Sequence, residues 1–452
     1  MDVLFLVVDS LRAHPFADGR VADTPFLDAL GERSAYFARA YSTECWTLPS
    51  HASMFTGLMP SQHRAHFHTM AYRGESPTLA EVMRERGYRT ELVTRNFVFD
   101  GSIEGICRGF EERTRIVSDR VGWDPVAFFL AAAKPRFRRH VRNTGFFHPE
   151  HRDNRAFLTA FARALQPADH LLLRYLVEKM RSRREVGERS FVFANLYDVH
   201  APYAPAEDSL LRPWGSWAGM RENLLAPFAL SRLGEHRYLL PGVTVSEAVR
   251  RVLEERYRAA VERVDGLLAE FFTELDSAGL LEDTLVVLVS DHGEGFGEHG
   301  LFLHDASLFE THIHVPLWVM VPGQAACRID DVVSTRHLFD LILGHTGGER
   351  CRTILDGEFR ARHPAAFAQH YHYPNLPAAL PQYRTDQFAA VTGSRKLLMR
   401  DRRCEGYDPV RDGDECLPEN YSRDEARDVF AAAVGDDAVE LRRWSALSAV
   451  AA

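Results

Sequence analysis

Thr284-Leu285-Val286-Val287-Leu288-Val289-Ser290-Asp291-His292-Gly293-Glu294 is the stretch on which the fold turns. Its first six residues form an apolar run of the kind a strand buried on both faces needs. An acidic residue and a histidine then stand together beside a glycine. Neighbours along a regular strand point to opposite faces. Asp291 and His292 can therefore reach one point only if the strand ends there and the backbone turns, which Gly293 permits. A carboxylate and a neutral imidazole are good ligands for a divalent metal. A single Asp-His pair more often marks an exposed loop, so the rest of the chain has to decide.

Similar runs recur on either side. Residues 2–8, Asp-Val-Leu-Phe-Leu-Val-Val, read as a buried strand, as do Tyr88–Thr94, Phe191–Leu196 and Val315–Val321. Between them, Thr24–Ser34, Pro49–Thr56 and Thr78–Arg86 carry helical patterns. Pro25 suits a first turn, and Gly57 closes the second helix. Glu247–Leu275 is a long amphipathic helix with Ser246 as N-cap. This alternation predicts an α/β fold: a large, mainly parallel sheet sandwiched by helices. Residues 118–188 are helical and rich in Arg and aromatics, with Phe157–Leu165 and Leu171–Met180 at helical spacing. Residues 206–245 read as a long surface excursion. After about residue 360 the pattern changes to short strands, Phe388–Thr392 and Lys396–Met399, around Gly393-Ser394. The expected organisation is a catalytic domain over 1–360, with insertions over 118–245 at the pocket rim. A small C-terminal α+β subdomain with antiparallel strands would occupy 361–452.

With 452 residues, 46% hydrophobic and 26% charged, the chain has the composition of a globular protein long enough for two domains. A net charge of -9 excludes a broad basic surface for nucleic acid. Arginine is dense only at Lys134–Arg139, which reads as a solvated helix face. No run approaches the roughly 18 apolar residues of a membrane span. Leu4–Val8 is too short for the core of a signal peptide. The six cysteines are scattered and include no CxxC, so they read as mostly reduced thiols in a cytoplasmic protein, with Cys404 and Cys416 a weak hairpin pair. Nothing sets the oligomeric state.

In open α/β sheets, ligands collect at the carboxyl ends of strands. Asp9 ends the first strand as Asp291-His292 ends a later one. Alone, Asp9 also suits a cap or a turn; together the three offer a metal set. In Cys45-Trp46-Thr47-Leu48-Pro49-Ser50-His51-Ala52-Ser53-Met54-Phe55-Thr56-Gly57, Pro49 marks a first helical turn, so Thr47 and Leu48 are expected just before the helix. A helix N-terminus favours a phosphate or sulfate. A hydroxyl there would face that anion and become a nucleophile if a divalent cation lowered its pKa. Thr47 also suits a plain cap.

The set resembles the alkaline phosphatase/sulfatase superfamily. Val7-Val8-Asp9-Ser10-Leu11-Arg12 is similar to its first metal motif, and Pro49–Gly57 to its nucleophile helix. Asp198-Val199-His200-Ala201-Pro202-Tyr203 resembles its mid-chain histidine motif. Ser290–Gly300 resembles its second metal motif, followed by Ser307-Leu308-Phe309-Glu310 and Val315-Pro316-Leu317. Arg395-Lys396-Leu397 resembles the C-terminal hairpin of sulfatases. The likeness spans residues 2 to 410. It implies that Asp9, Asp291 and His292 bind metal and that Thr47 is the nucleophile.

Sulfatases carry at that place a Cys or Ser oxidised to formylglycine, within Cys-x-Pro-x-Arg. This chain has Thr47-Leu48-Pro49-Ser50-His51, and Cys45 lies two residues too early. Oxidation of a threonine would give a ketone, not the aldehyde. A Thr-linked intermediate must then be cleaved by water or another acceptor at the transferred group, which suits phosphoryl chemistry. The expectation is a metal-dependent hydrolase or transferase of phosphate mono- or diesters or phosphonate esters, acting on a small molecule. The alternatives are a sulfatase without formylglycine, taking a sulfoester, and a silent anion-binding protein.

By the same resemblance His200 and His304 contact the transferred group or the leaving oxygen, as acids or charge stabilisers. His51 replaces the Arg that steadies the nucleophile, and so faces Thr47 or the anion. Ser10 lies near the metal, and His299 supports the loop. His312, His314, His370 and His372 are taken as structural or rim residues. Asp198-x-His200 departs from the Asp-x-x-x-His of two-metal members. One ion is therefore favoured, on Asp9, Thr47, Asp291 and His292, with a second left open. An imidazole ligand favours Zn²⁺ or Mn²⁺ over Ca²⁺ or Mg²⁺.

Overall fold

The computed structural model describes residues 1–116, 168–203, 245–347, 352–372 and 385–408, a few single positions excepted, with Glu415 and Glu419–Tyr421. The expected helix Phe157–Leu165, the arginine run 134–139, the excursion 206–244, the cap Ser246 and Cys416 lie outside the described residues.

Ten strands are described before the C-terminal part. They are β1 (Asp2–Val8), β2 (Ala35–Tyr41), β3 (Arg89–Thr94), β4 (Glu112–Arg115), β5 (Ser190–Leu196), β6 (Thr284–Val289), β7 (Gly295–Phe296), β8 (Phe302–Leu303), β9 (His314–Met320) and β10 (Cys327–Ser334). Eight of them form one sheet in the order β10-β2-β9-β6-β1-β5-β3-β4. Of these, β9 alone runs antiparallel to its neighbours. The sheet is thus mostly parallel, as the alternating pattern predicts.

The central strands are buried on both faces, which is why their sequences are continuously apolar. Along β1, Val3, Phe5 and Val7 join one core with Phe191, Phe193, Val287 and Phe55. Leu4, Leu6 and Val8 join the other, with Leu288, Leu176 and Leu268. The first core is covered by helix Thr47–Thr56. The second is covered by helices Asp169–Glu185 and Glu247–Ser277. Burying each such Val, Leu or Phe side chain contributes roughly 1.5–3 kcal/mol.

Register fixes where the strands stop. Val8 of β1 lies beside Leu196 of β5, Val7 beside Val289 of β6, and Asn195 beside Thr94 of β3. The residues that follow, Asp9, Tyr197, Ser290 and Arg95, therefore emerge along one edge.

Two differences from the sequence pattern have physical causes. β10 is a sheet edge whose Arg328, Asp330 and Asp331 are exposed, so it has no apolar run. Its partner β2 carries half-buried Tyr36, Ala38 and Arg39. Helix Thr47–Thr56 starts at Thr47, with Trp46 as N-cap, so Thr47 is in the helix and not before it. Pro49 is its third residue. The missing N–H costs nothing there, because the first four helical N–H groups have no intrahelical acceptor.

Beyond the large sheet, β11 (Ala366–His370), β12 (Gln387–Val391), β13 (Lys396–Arg400), β14 (Arg403–Tyr407) and β15 (Glu419–Tyr421) make an antiparallel sheet in sequence order. Its Ala366, Ala389 and Leu398 pack with Tyr41, Phe309 and Ile313 of the main body. Lys396 is fully buried at this joint, between Glu310 (3.0 Å) and Glu415 (2.7 Å). Among the described residues, no helix is long and apolar enough to cross a membrane.

Candidate active site and metal centre

Asp9, Asp291 and His292 come together at the ends of the adjacent strands β1 and β6. One ligand atom from each lies within 4.8 Å of the others. All three are 0% exposed. His292 Nε2 is 3.3 Å from Asp291 Oδ2 and 3.7 Å from Asp9 Oδ1. His292 Nδ1 donates to the Gly293 carbonyl at 3.0 Å, which leaves the lone pair on Nε2. Burial pushes the His292 imidazole down to about 4, so it is neutral at pH 7. Gly293 is needed for close approach rather than for a left-handed turn. It has no positive φ. A Cβ there would lie 2.0 Å from the Thr311 carbonyl oxygen.

Backbone and side-chain donors fix the two carboxylates in place. Ser10 N–H donates to Asp291 Oδ1 and Ser10 Oγ to Asp9 Oδ1, both at 3.2 Å. Ser10 reaches both from a positive φ of 64°. Such a conformation is uncommon for a non-glycine residue and persists where surroundings impose it. Asn96 Nδ2 donates to Asp9 Oδ2 at 2.7 Å, and Asn195 Nδ2 at 3.3 Å. Ser50 Oγ ties the helix to the Asp291 carbonyl at 2.7 Å.

Three observations fit a divalent cation here. Among the described residues no Arg or Lys pairs with Asp9 or Asp291. Asp291 Oδ2 and His292 Nε2 are buried without a hydrogen-bond partner, a costly state unless something binds them. Burial, with Asp9 alongside, pushes the Asp291 carboxyl well above its usual range. A cation would remove that penalty.

Thr47 is 4% exposed and opens a ten-residue helix that has no side-chain cap. His51, one turn on, bonds the Thr47 carbonyl through Nδ1 at 2.8 Å and lies 3.6 Å from Asp291 Oδ2. It sits among Phe55, Phe99 and Phe193, and burial lowers it to about 4. The structure thus places His51 behind the corner, linking the start of the helix to Asp291.

A row of rings leads away from the metal set. His292 stacks on His304 at 4.4 Å, His304 meets His200 at 4.8 Å, and His200 stacks on Tyr197 at 4.4 Å. His304 Nδ1 lies 3.2 Å from Glu294 Oε2, and His200 Nδ1 is 2.7 Å from the Ala201 carbonyl. Asp198, two residues before His200, is held elsewhere. Its carboxylate takes Arg95, Arg263 and the Ala168 and Asp169 N–H groups.

The remaining histidines have local partners. His299 stacks on Phe309, His312 reaches the Leu303 carbonyl, and His314 the Ala38 carbonyl. His370 bonds Glu44 at 3.0 Å, and His372 bonds Asp386 at 2.7 Å.

Sequence reading passes over Asn96, Ser50 and Glu294. Asn96 sits two residues beyond β3, so the strand-end rule that picks out Asp9 picks it out too. Ser50 and Glu294 carry no separate local signal.

The sulfatase family profile matches residues 1–348. The chain belongs to the sulfatase family. It is 27% identical over 342 residues to a choline-sulfatase of Rhizobium meliloti, covering 72% of this chain and 63% of that protein. Identity to arylsulfatase K of Bos taurus is 23% over 414 residues, covering 87% and 74%. The chain therefore spans a little under two thirds of the choline-sulfatase it matches. In structure it resembles the phosphonate monoester hydrolase of Agrobacterium radiobacter, with a TM-score of 0.67 and 18% identity over 98% of this chain and 95% of that one. The phosphonate monoester hydrolase of Silicibacter pomeroyi gives 0.66 at 19% identity, over 99% and 94%. These likenesses establish an alkaline phosphatase-like fold with a small antiparallel C-terminal sheet.

Proposed function

We propose that this sulfatase-family chain hydrolyses, or transfers from, phosphate or phosphonate esters by way of a phosphorylated Thr47. The carrying observation is a threonine at the buried first position of the uncapped helix beside Asp291. The phosphonate monoester hydrolases among the structural neighbours point the same way, whereas the sulfatases among the relatives name the rival substrate class.

Asp9, Asp291 and His292 would hold the divalent cation, with Thr47 at its side, and Zn²⁺ or Mn²⁺ suits the imidazole in the set. Such an ion offsets the negative charge of the reacting group and lowers the pKa of an attacking oxygen. The chain supplies the rest. Thr47 Oγ1 gives up its proton to solvent water and bonds to phosphorus as the ester oxygen departs in line. The free N–H groups of Thr47 and Leu48 favour the anionic group at the helix end. His304 or His200 delivers a proton to the leaving oxygen. Glu294 fixes the His304 ring and offsets its charge when protonated. Water, or an acceptor alcohol, then breaks the Thr47–phosphorus bond, and Thr47 regains its proton.

The test is purified, metal-loaded protein on a panel of phosphate monoesters, diesters, phosphonates and aryl sulfates, beside Thr47→Ala. Turnover of phosphorus esters should fall at least about a thousandfold in Thr47→Ala, with ligand affinity largely kept. Cleavage of aryl sulfates alone, or unchanged turnover in Thr47→Ala, sinks the proposal.

A further inference from the structure

Two short histidine segments lie far apart in sequence, His66-Phe67-His68 and His370-Tyr371-His372. The fold interleaves them. Tyr371 stacks on His66 at 4.3 Å and meets His68 edge-on at 5.8 Å, while Phe67 lies 6.0 Å from His370. His68 is thereby set against His372, with ring centroids 5.1 Å apart at 81°. Asp386 comes from the start of β12, whose Gln387 pairs with His370 of β11. It accepts the His372 N–H at 3.0 Å and engages His372 Nδ1 at 2.7 Å.

We infer that His68, His372 and Asp386 form a second divalent metal site, of the Zn²⁺ class, that shares no residue with the Asp9–Asp291–His292 corner. One ligand atom from each of the three lies within 4.8 Å of the others. His372 Nδ1 and Asp386 Oδ1 face each other at 2.7 Å, so a cation seated between them, with the His372 proton on Nε2, takes both as ligands. Two imidazoles and a carboxylate suit Zn²⁺ better than Ca²⁺ or Mg²⁺, and the open positions suit water. His68 is exposed and the other two half-buried, so an ion can enter. The nearby Glu44–Cys45–His370 set is fully buried instead, with Glu44 Oε1 taking the Cys45 N–H at 2.8 Å and His370 at 3.0 Å.

The mounting is firm on both sides. Gln369 N–H bonds the Thr43 carbonyl at 2.9 Å, and its side chain accepts the Ser61 N–H at 2.8 Å. An ion on His68 and His372 would clamp the loop after His63 to the C-terminal sheet, a few residues from the turn that leads into Thr47.

Chelator-stripped full-length protein titrated with Zn²⁺ alone tests this by calorimetry, without any assay of turnover. Wild type should take two equivalents. Asp291→Asn should take one, His68→Ala should lose the other by at least about tenfold in affinity, and the double variant should take none. His68 is exposed, so its removal spares the fold; a melting curve checks this, and His68→Gln serves as the second variant. A single equivalent in wild type that Asp291→Asn abolishes, or bound Zn²⁺ whose stoichiometry and affinity His68→Ala and His68→Gln leave unchanged, overturns the inference.

Discussion

Two buried pairs of carboxylates sit near each other behind the same sheet edge and are treated in opposite ways. Asp169 and Asp198, 0% and 4% exposed, are met by Arg95 and by Arg263. Asp9 and Asp291, both 0% exposed, have no arginine or lysine partner among the described residues. A third pair, Glu310 and Glu415, shares the single ammonium of Lys396. Buried charge must be compensated or neutralised. The chain thus supplies two cations to the first pair, one to the third and none to the second. The unmatched pair, which also has His292 beside it, is where an outside cation fits.

The strongest challenge to this contrast is Asp291→Asn. Turnover should fall by more than about a thousandfold, while the metal-free protein should unfold at no lower denaturant concentration, because a crowded carboxyl has gone. A large loss of metal-free stability would show that the corner is compensated from within. Next in size is Arg95→Met, which leaves buried Asp169 without its cation and Asp198 with Arg263 alone, and should cost roughly 3–5 kcal/mol in urea unfolding. A variant as stable as wild type would dissolve the distinction between the pairs. Saturating Zn²⁺ or Mn²⁺ at a hundredfold excess over Kd should stabilise Arg95→Lys by about 2.7 kcal/mol but Asp291→Asn by far less at that site, read from shifted urea midpoints.

The smallest effect concerns the pair with one cation. Burial and the Glu310 carboxylate push the Glu415 carboxyl up to about 7 against the pull of Lys396. A carboxyl raised in the folded state adds stability below its unfolded pKa, and that contribution is lost as pH rises through about 7. Stability should therefore decline between about pH 4.5 and 7 by at most about 3 kcal/mol, and Glu415→Gln should flatten the decline. Equal slopes in the two proteins would show that Glu415 does not hold that proton.

What could be read beforehand follows from how local each signal is. β1, β5 and β6 are legible because burial on both faces leaves only apolar residues. Asp9 and Asp291-His292 are legible because they break those runs at the strand ends. β10 is not, since an edge strand keeps Arg328, Asp330 and Asp331 in water, and neither is its neighbour β2, whose Tyr36, Ala38 and Arg39 are only half-buried. The start of helix Thr47–Thr56 is not legible, because Pro is tolerated anywhere in the first helical turn and here stands third rather than first. Compensation of Asp198 by Arg95 and Arg263 joins residues 103 and 65 positions apart, beyond any local pattern. The same holds for Ser50, whose bond to the Asp291 carbonyl spans 241 residues.

All ten residues of helix Thr47–Thr56 are buried. An enzyme that had to modify a side chain there could not grip this segment once the fold had closed, and would need the chain while it was still being made. On the proposed reading, a threonine used as the ribosome delivers it removes that deadline, because the attacking side chain needs no modification before the fold closes over it.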